Sequence, residues 1–294
     1  MKQGDLVVRN SYGGDVLFRI ASIRETSAVL KGTDYRLLAD SPIEDLSIVR
    51  NPEQTGAVRQ VRIKVSESMK RMQQHQQRQL QAQKNERSPE IGQKIKLDSG
   101  YFELPGRVLH LDGDEKYMRK SMQLYGQMKV PAYGLHCHES QMPELLIRLL
   151  PQIKPDIVVI TGHDGVLKNR PNLDLSQLSN YKNSANFVNA VKIAREYEKT
   201  RDGMIVIAGA CQSHFEALLQ AGANFASSPG RILIHALDPV YIAIKASYTP
   251  MRDTINLSEV INGTISGING VGGIETLGRY RVGLPRSKPQ TQMI

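Results

Sequence analysis

The 294-residue sequence contains no tryptophan, only two cysteines and only five phenylalanines. It has no apolar run close to the roughly 18 residues that a transmembrane helix requires, and its N-terminus lacks the apolar segment of a secretory signal. These absences predict a protein with no membrane partner. Two cysteines cannot form a disulfide framework, so we expect reduced thiols and synthesis in the cytoplasm.

The formal net charge of +9 predicts a polyanionic partner or acidic surroundings. Much of the excess positive charge lies in a glutamine-rich stretch and in the C-terminal tail. It is not concentrated on one face interleaved with aromatic side chains, so the pattern does not indicate a specific nucleic-acid site. A basic protein embedded in an acidic protein matrix agrees with this charge equally well.

Composition divides the chain into four regions. Residues 1–50 contain about five short alternating apolar runs separated by turn-forming residues, which predict a small SH3-like β-barrel. Residues 51–98 form a basic, glutamine-rich connector. Residues 99–285 alternate between strand and helix patterns, and residues 286–294 form a basic tail that we expect to be mobile.

The strands predicted within residues 99–285 are short, apolar and β-branched, which is typical of a parallel sheet covered on both faces. We therefore predict an α/β fold with a mostly parallel sheet and helices on both faces. No phosphate-binding glycine motif directly follows a strand, and we expect no cofactor. The predicted strands lie at 107–111, 131–136, 157–161, 204–208 and 231–236, and the predicted helices at 116–128, 141–153, 184–199, 214–220 and 240–246.

Two of these strands end in side chains capable of covalent catalysis. The strand at 157–161 leads to His163, and the strand at 204–208 leads to Cys211. The carboxyl ends of parallel strands line one ligand-binding edge, so the imidazole and the thiol should meet there. The helix predicted after Cys211 would favour the thiolate, and His163 would protonate the leaving group and then activate water. The pattern predicts a cysteine hydrolase.

Several local strings occur in a specific order along residues 1–285. They are Gly-Asp-Leu-Val-Val at 4–8, Asp-Val-Leu-Phe-Arg-Ile at 15–20, His-Leu-Asp-Gly-Asp at 110–114, Leu-His-Cys-His-Glu at 135–139, Thr-Gly-His-Asp-Gly at 161–165 and Ala-Gly-Ala-Cys-Gln-Ser-His at 208–214. In this order they resemble the YabG-type sporulation-specific proteases of endospore-forming bacteria. The strand-end histidine followed by an Ala-Cys pair also resembles the wider clan of caspase-, legumain-, clostripain- and gingipain-like cysteine proteases.

The resemblance implies a caspase-like domain with flavodoxin-like strand order, a dyad of Cys211 and His163, and cleavage after basic residues. It also implies synthesis in the mother cell of a sporulating bacterium, residence in the spore coat, and protein substrates from the coat and cortex. In the clan, a glycine directly follows the histidine, whereas here Asp164 stands between His163 and Gly165.

The expected site needs an oxyanion hole and a pocket for a basic side chain. The backbone N–H groups of Cys211 and Gly165 are the expected oxyanion donors. Acidic side chains at the same sheet edge would bind arginine or lysine, because a carboxylate can contact a guanidinium through two hydrogen bonds. The sequence does not choose among the candidates, which are Asp112, Asp114, Asp164 and Asp238.

The apolar residues of the connector, Met69, Met72 and Leu80, are too sparse for a core-facing stripe. We therefore expect a solvated linker, either an exposed helix or a partly disordered segment. Because proteases reach exposed and flexible backbone, a protease specific for basic residues should cut its own connector near Arg78 and Arg87.

Two other functions agree with parts of the sequence. His136 and His138 alternate at a strand end and could share one metal ion, which would make the protein a zinc or manganese hydrolase. Cys137, between them, is expected to be structural. Alternatively, the barrel and the α/β domain could be binding modules of a non-enzymatic coat component. The residues that would complete a metal site are Asp112, Glu139, His163 and His214.

Overall fold

The structure is a computed structural model that describes residues 1–52, 56–86, 102–167 and 174–283. Within these ranges the chain forms an N-terminal antiparallel sheet, a long helix and a six-stranded α/β unit. No helix in the described ranges is both long and apolar enough to cross a membrane. The predicted C-terminal tail, 286–294, lies outside the described residues.

The N-terminal region is a five-stranded antiparallel sheet with the order β4-β3-β2-β1-β5. Alternate residues point to one side, where Val7, Phe18, Ile20 and Leu30 form a small core. All five predicted strands are present. Since β4 and β5 are the two edges of this sheet, the SH3-like barrel stays a prediction. The strands are β1 (Leu6–Arg9), β2 (Phe18–Ile23), β3 (Ser27–Gly32), β4 (Leu38–Pro42) and β5 (Leu46–Ile48).

The described part of the connector contains one long helix, α1 (Gly56–Glu86). The expectation of a solvated linker is wrong for the middle of this helix. Met69 and Met72 pack against the core of the α/β unit, and the Ser68 hydroxyl donates a hydrogen bond to the Gly263 carbonyl. A narrow apolar strip is enough here, because the helix only covers the outside of other helices.

The α/β unit has a six-stranded sheet with the order β12-β11-β10-β9-β7-β8, and a separate ribbon pairs β6 with β13. If β7 is counted as the first strand and the sheet is read from the β8 edge, the strand order is 2-1-3-4-5-6. The order of the first five strands, 2-1-3-4-5, is the flavodoxin-like order. Only β12 runs antiparallel. The strands are β6 (Phe102–Leu104), β7 (Val108–Asp112), β8 (Ala132–His136), β9 (Ile157–Thr161), β10 (Ile205–Ala208), β11 (Phe225–Ser227), β12 (Val271–Gly273) and β13 (Arg281–Gly283).

Helices cover both faces of this sheet, as predicted. Successive residues of a strand enter different cores: Val159 packs under α2, α6 and α7, whereas Val158 and Ile160 pack under α3, α4 and α5. This explains why the central strands are apolar without alternation. The helices are α2 (Glu115–Gln127), α3 (Met142–Ile153), α4 (Ser184–Tyr197), α5 (Phe215–Ala221), α6 (Asp238–Tyr248) and α7 (Leu257–Gly263).

One predicted strand is wrong. Residues 231–236 are not a strand of the central sheet, whose fifth strand is β11. The end of this apolar segment nevertheless forms strand-like hydrogen bonds, but with the N-terminal region. Arg36 N donates to Ile234 O at 3.2 Å, and Ala236 N donates to Asp34 O at 2.8 Å. The apolar pattern predicted the burial of residues 234–236 but could not identify their pairing partner.

Candidate active site

His163 and Cys211 follow adjacent parallel strands at the same edge of the central sheet. β9 ends at Thr161 and β10 ends at Ala208, and the register places Ala208 beside Ile160. His163 and Cys211 therefore leave the sheet within about one residue of each other in register. The structure brings the two predicted catalytic groups to one edge, although no hydrogen bond joins them among the described contacts.

The thiol of Cys211 lies completely buried behind a sharp turn. β10 turns away at Gly209, whose φ of +109° is a conformation that side chains rarely adopt. The Cys211 Sγ accepts a hydrogen bond from Ile234 N at 3.2 Å and lies 3.6 Å from Ile234 O. Burial raises the pKa of Cys211 to about 12, although the Ile234 N–H acts in the opposite direction. The thiol is therefore neutral in this state.

The imidazole of His163 is also buried and neutral. Its ring stacks on Tyr117, with 5.3 Å between the ring centroids. Both ring nitrogens lack a hydrogen-bond partner, and Nε2 lies 3.7 Å from Asp114 Oδ2. Burial, together with the positive charge of Lys31, lowers the pKa of His163 to about 3, although the carboxylates of Asp114 and Asp112 act in the opposite direction. The ring nitrogens are thus available to exchange a proton with a reacting group.

Glu139 and Asn183 fix the backbone around His163. The buried Glu139 carboxylate accepts a hydrogen bond from His163 N at 2.9 Å, and Asn183 Nδ2 donates to His163 O at 2.8 Å. Glu139 also packs directly on Gly113 and Gly162, where any side chain would collide with its carboxylate. Because these two positions are glycines, the Glu139 carboxylate has room to reach the backbone N–H of His163.

A segment of the N-terminal region, residues 34–38, crosses this edge in an extended conformation. We call it the arginine arm because Arg36 is its central residue. On one side it pairs with residues 234–236, as described above. On the other side Leu38 N donates to Asp164 O at 3.2 Å. The arm therefore lies as an added strand between the loop after β9 and the segment before α6.

The carbonyl oxygen of Arg36 accepts two backbone hydrogen bonds. Cys211 N and Asp164 N each donate to it at 3.3 Å. Gly165 N, the donor expected from the sequence, instead donates to Asp164 Oδ1 at 2.8 Å. Gly165 has a different use, since a Cβ there would lie 2.8 Å from Leu38 O and would push the arm away.

The guanidinium of Arg36 is completely buried and paired with Asp112. Its Nη2 lies 2.8 Å from Asp112 Oδ2 and also 2.8 Å from Ala236 O, and its Cζ lies 5.1 Å from the Tyr117 ring centroid. Burial acts to lower the pKa of Arg36, but Asp112 outweighs it and the net shift is upward. Burial acts to raise the pKa of Asp112, and Arg36 reverses this, so Asp112 stays ionised.

The other predicted pocket carboxylates accept hydrogen bonds from backbone or hydroxyl groups, and none of them pairs with an arginine among the described contacts. Asp114 caps α2 by accepting from backbone N–H groups of its first turn. Asp238, the first residue of α6, accepts from Ile265 N at 2.7 Å and Ser266 N at 3.2 Å. Burial raises the pKa of Asp238 to about 6, although these hydrogen bonds act to lower it.

The side chain of Asp164 connects the two loops that carry His163 and Cys211. Its carboxylate joins the loop of His163, the start of α4 and the turn after Cys211. It accepts four hydrogen bonds, from Gly165 N at 2.8 Å, Asn183 N at 2.8 Å, Ser184 Oγ at 2.5 Å and Ser213 Oγ at 2.9 Å.

In the described ranges no group of three or more metal-ligating side chains comes together, so the metal hydrolase alternative has no candidate site there. His136 ends β8, and His138 begins the next turn and bonds to Ser140. Three of the four residues proposed to complete the site are engaged elsewhere: Asp112 pairs with Arg36, Glu139 accepts from His163 N, and the ring of His214 bonds to Ser176 O.

Comparison with known proteins identifies the family of this chain. The profile of the YabG peptidase U57 family matches residues 2–285. The chain belongs to the YabG peptidase U57 family. It is therefore a peptidase, as the sequence predicted. It is 44% identical over 287 residues to the sporulation-specific protease YabG of Bacillus subtilis (strain 168), covering 96% of this chain and 97% of that protein. No solved structure matches the chain.

The sequence analysis did not identify three side chains of the candidate site: Arg36, Tyr117 and Asn183. Arg36 lies in a predicted strand more than 70 positions before the nearest of the other site residues, Asp112, and nothing local distinguishes it. Tyr117 and Asn183 lie at or just before helix starts, at α2 and α4. The carboxyl edge of a parallel sheet is where helices begin, so residues at helix starts were a usable signal.

Proposed function

We propose that the chain is a cysteine endopeptidase that cuts proteins after arginine or lysine, with Cys211 and His163 as a dyad on a caspase-like fold. The observation that supports this most is the position of Arg36. Its carbonyl oxygen contacts the N–H groups of Cys211 and Asp164, while its guanidinium contacts Asp112. An enzyme of this kind needs the same pair of features, an oxyanion site and an acidic pocket.

In this proposal a substrate arginine takes the place of Arg36. Cys211 attacks the carbonyl carbon, and the N–H groups of Cys211 and Asp164 stabilise the oxyanion. His163 accepts the thiol proton and delivers it to the leaving amine. Water then hydrolyses the thioester with His163 as base. Because burial raises the pKa of Cys211 to about 12, the thiol loses its proton only as the attack proceeds.

Asp112 is the proposed specificity residue among the four candidates. Its contact with a buried guanidinium is the geometry that a basic substrate side chain requires. Asp164 has a different proposed role: its N–H replaces that of Gly165 in the oxyanion hole, and its carboxylate holds the two catalytic loops.

The setting is proposed from the relative. Since the Bacillus subtilis protein is named a sporulation-specific protease, we infer that this chain acts in sporulation. We further propose that the mother cell makes it, that it resides in the spore coat, and that it cuts coat and cortex-associated proteins. Comparing coat protein fragments from spores carrying the wild type or Cys211→Ala would test this, and identical fragments would contradict it.

Cleavage of an arginine-containing protein tests the mechanism. We expect Cys211→Ala, His163→Ala and a thiol alkylator to abolish activity, and a metal chelator to leave it unchanged. Asp112→Asn should lower kcat/KM for arginine substrates by two orders of magnitude or about 3 kcal/mol. Glu144→Gln is the matched control, because Glu144 is an exposed carboxylate on α3 that pairs with Arg148.

The same assay distinguishes the other functions. Activity lost with the chelator but retained in Cys211→Ala would indicate the metal hydrolase. No cleavage by the wild type under any condition would favour a non-enzymatic coat component. If Asp112→Asn cut arginine substrates as fast as Glu144→Gln, the acidic pocket would have to be sought elsewhere.

A further inference from the structure

The arginine arm lies in the site with the hydrogen bonds that a bound peptide would make. An extended peptide binds a sheet edge through alternate backbone hydrogen bonds, while one side chain enters a pocket. The arm does this: Arg36 N donates to Ile234 O, Asp34 O accepts from Ala236 N, and the Arg36 guanidinium enters the pocket of Asp112.

The peptide bond after Arg36 is the bond in position for cleavage. The Arg36 carbonyl is polarised by the N–H groups of Cys211 and Asp164. Immediately beyond the bond, Leu38 N donates to Asp164 O at 3.2 Å. The Arg36–Leu37 bond therefore passes alongside Asp164, the residue that directly follows the proposed general acid, His163.

The arm also closes the site to other peptides. Arg36, Cys211 and Asp112 are all buried with no exposed surface, and His163 is 1% exposed. The Cys211 Sγ faces Ile234 N, close to the backbone of the arm. A protein substrate can reach none of these groups until the arm leaves.

We infer that residues 34–38 are a built-in substrate, that Cys211 cuts the chain's own Arg36–Leu37 bond, and that this cut opens the site to other proteins. The inference rests on the proposed function and adds a self-cleavage site and an inhibitory role for the N-terminal region. The connector site expected from the sequence is less suited: Arg78 lies within α1, whose helical backbone cannot extend into the cleft, and Arg87 lies outside the described residues.

The reaction consumes one water molecule. The Cys211 sulfur forms a bond to the Arg36 carbonyl carbon, and its proton passes through His163 to the nitrogen of Leu37 as the carbon–nitrogen bond breaks. Water then attacks the thioester, which releases Arg36 as a carboxyl terminus and restores the thiol. Leu37 becomes a new amino terminus.

The cut falls in the connection between β3 and β4, which remain paired along their length. We therefore expect the two fragments to stay together while the new ends withdraw. Native size measurement should show one species, whereas denaturing electrophoresis should show a fragment of residues 37–294 that begins Leu-Leu-Ala-Asp.

The test measures two quantities on the purified full chain: its N-terminal sequences with intact mass, and its cleavage of a fluorogenic peptide with a single arginine. The variants are wild type, Cys211→Ala, Leu37→Pro and Arg36→Gln. Arg24→Gln is the control, because Arg24 is an exposed arginine in the turn between β2 and β3 of the same N-terminal region. We expect the wild type and Arg24→Gln to be cut after Arg36 and to cleave the peptide, and Cys211→Ala to stay whole.

Leu37→Pro is the decisive variant, since it keeps the Arg36–Asp112 pair and makes the bond after Arg36 a hindered tertiary amide. We expect this chain to stay whole and to cleave the peptide about ten-fold or more slowly, because the arm still occupies the site. Arg36→Gln should stay whole at this bond yet cleave the peptide faster than Leu37→Pro. If Arg36→Gln does not fold, the peptide cleavage rate of Leu37→Pro alone tests the inhibitory role of the arm.

The outcomes separate this inference from the proposed function. A wild type that cleaves the peptide but stays whole after Arg36, or that is cut only at another arginine, would overturn the self-cleavage site and leave the function standing. Full activity of Leu37→Pro would overturn the inhibitory role. If no chain is cut and neither the wild type nor Arg36→Gln cleaves the peptide, the proposed function itself fails.

Discussion

At the scale of single residues, the contact between Arg36 and Asp112 dominates the site. Both side chains are fully buried, so each compensates for the loss of water around the other. A buried pair contributes little compared with apolar residues of the same shape, but removing one partner leaves a buried charge without compensation. The pair should therefore matter for stability independently of catalysis.

We predict that Asp112→Asn lowers the free energy of unfolding by about 3–5 kcal/mol, because the Arg36 charge loses its partner. Glu144→Gln should change it by less than about 1 kcal/mol, since the Glu144–Arg148 pair is exposed. Urea unfolding monitored by circular dichroism measures both, in a Cys211→Ala background so that no self-cleavage interferes. Equal effects of the two substitutions would mean that the buried pair is not formed in solution.

At the scale of elements, Asp164 holds together the loops that follow β9 and β10. Its carboxylate accepts hydrogen bonds from the start of α4 and from the turn after Cys211, so one side chain fixes the relative positions of both loops. Burial raises the pKa of Asp164, although its hydrogen bonds act to lower it. The buried carboxylate depends on these donors for compensation.

We predict that Asp164→Asn destabilises the protein by about 3 kcal/mol, because the amide group turns a donor toward groups that already donate. Asp174→Asn is a matched control: Asp174 also accepts from a serine hydroxyl and backbone N–H, those of Ser176, but in an exposed loop. Its effect should stay below about 1 kcal/mol. Thermal unfolding of both variants measures the difference, and similar midpoints would show that Asp164 is not the link between the loops.

The sequence predicted most elements because the central strands and their covering helices are locally encoded. β9 was predicted with its observed bounds, and α4 with its observed start. The segment at 231–236 was placed wrongly because an extended apolar run does not reveal which strand it pairs with. His163 and Cys211 could be selected because each follows a buried strand, whereas Arg36 could not, since its role depends on contacts with residues that are distant in the sequence.

At the scale of the whole molecule, the N-terminal sheet and the α/β unit meet at the site. Besides the arm, the Tyr117 hydroxyl bonds to Tyr35 O at 2.8 Å, and Lys182 pairs with Asp40 at 2.9 Å. Around this junction lie three buried histidines with lowered pKa values, which makes the junction sensitive to acid. Burial lowers the pKa of His110 and His163 to about 3 and that of His235 to about 4.

These histidines predict that the protein loses stability as the pH falls below about 6.5. The unfolded chain binds a proton at each histidine near that pH, whereas the folded chain stays neutral, so the stability present at neutral pH is lost on acidification. At pH 5 the loss is about 2 kcal/mol for each histidine. Asp238 offsets roughly 1 kcal/mol of this loss. Burial raises the pKa of Asp238 to about 6, so on acidification the folded chain binds this proton before the unfolded chain does.

The net loss of about 5 kcal/mol is comparable to the whole stability of many proteins. Urea unfolding of Cys211→Ala at about pH 7.5 and pH 5 measures it, and His235→Gln should reduce the difference by about 2 kcal/mol. His136→Gln, a change at an exposed histidine, should leave the difference as it is. Equal stability at the two pH values would mean that the junction opens enough to hydrate these histidines, and that the arm does not seal the site in solution.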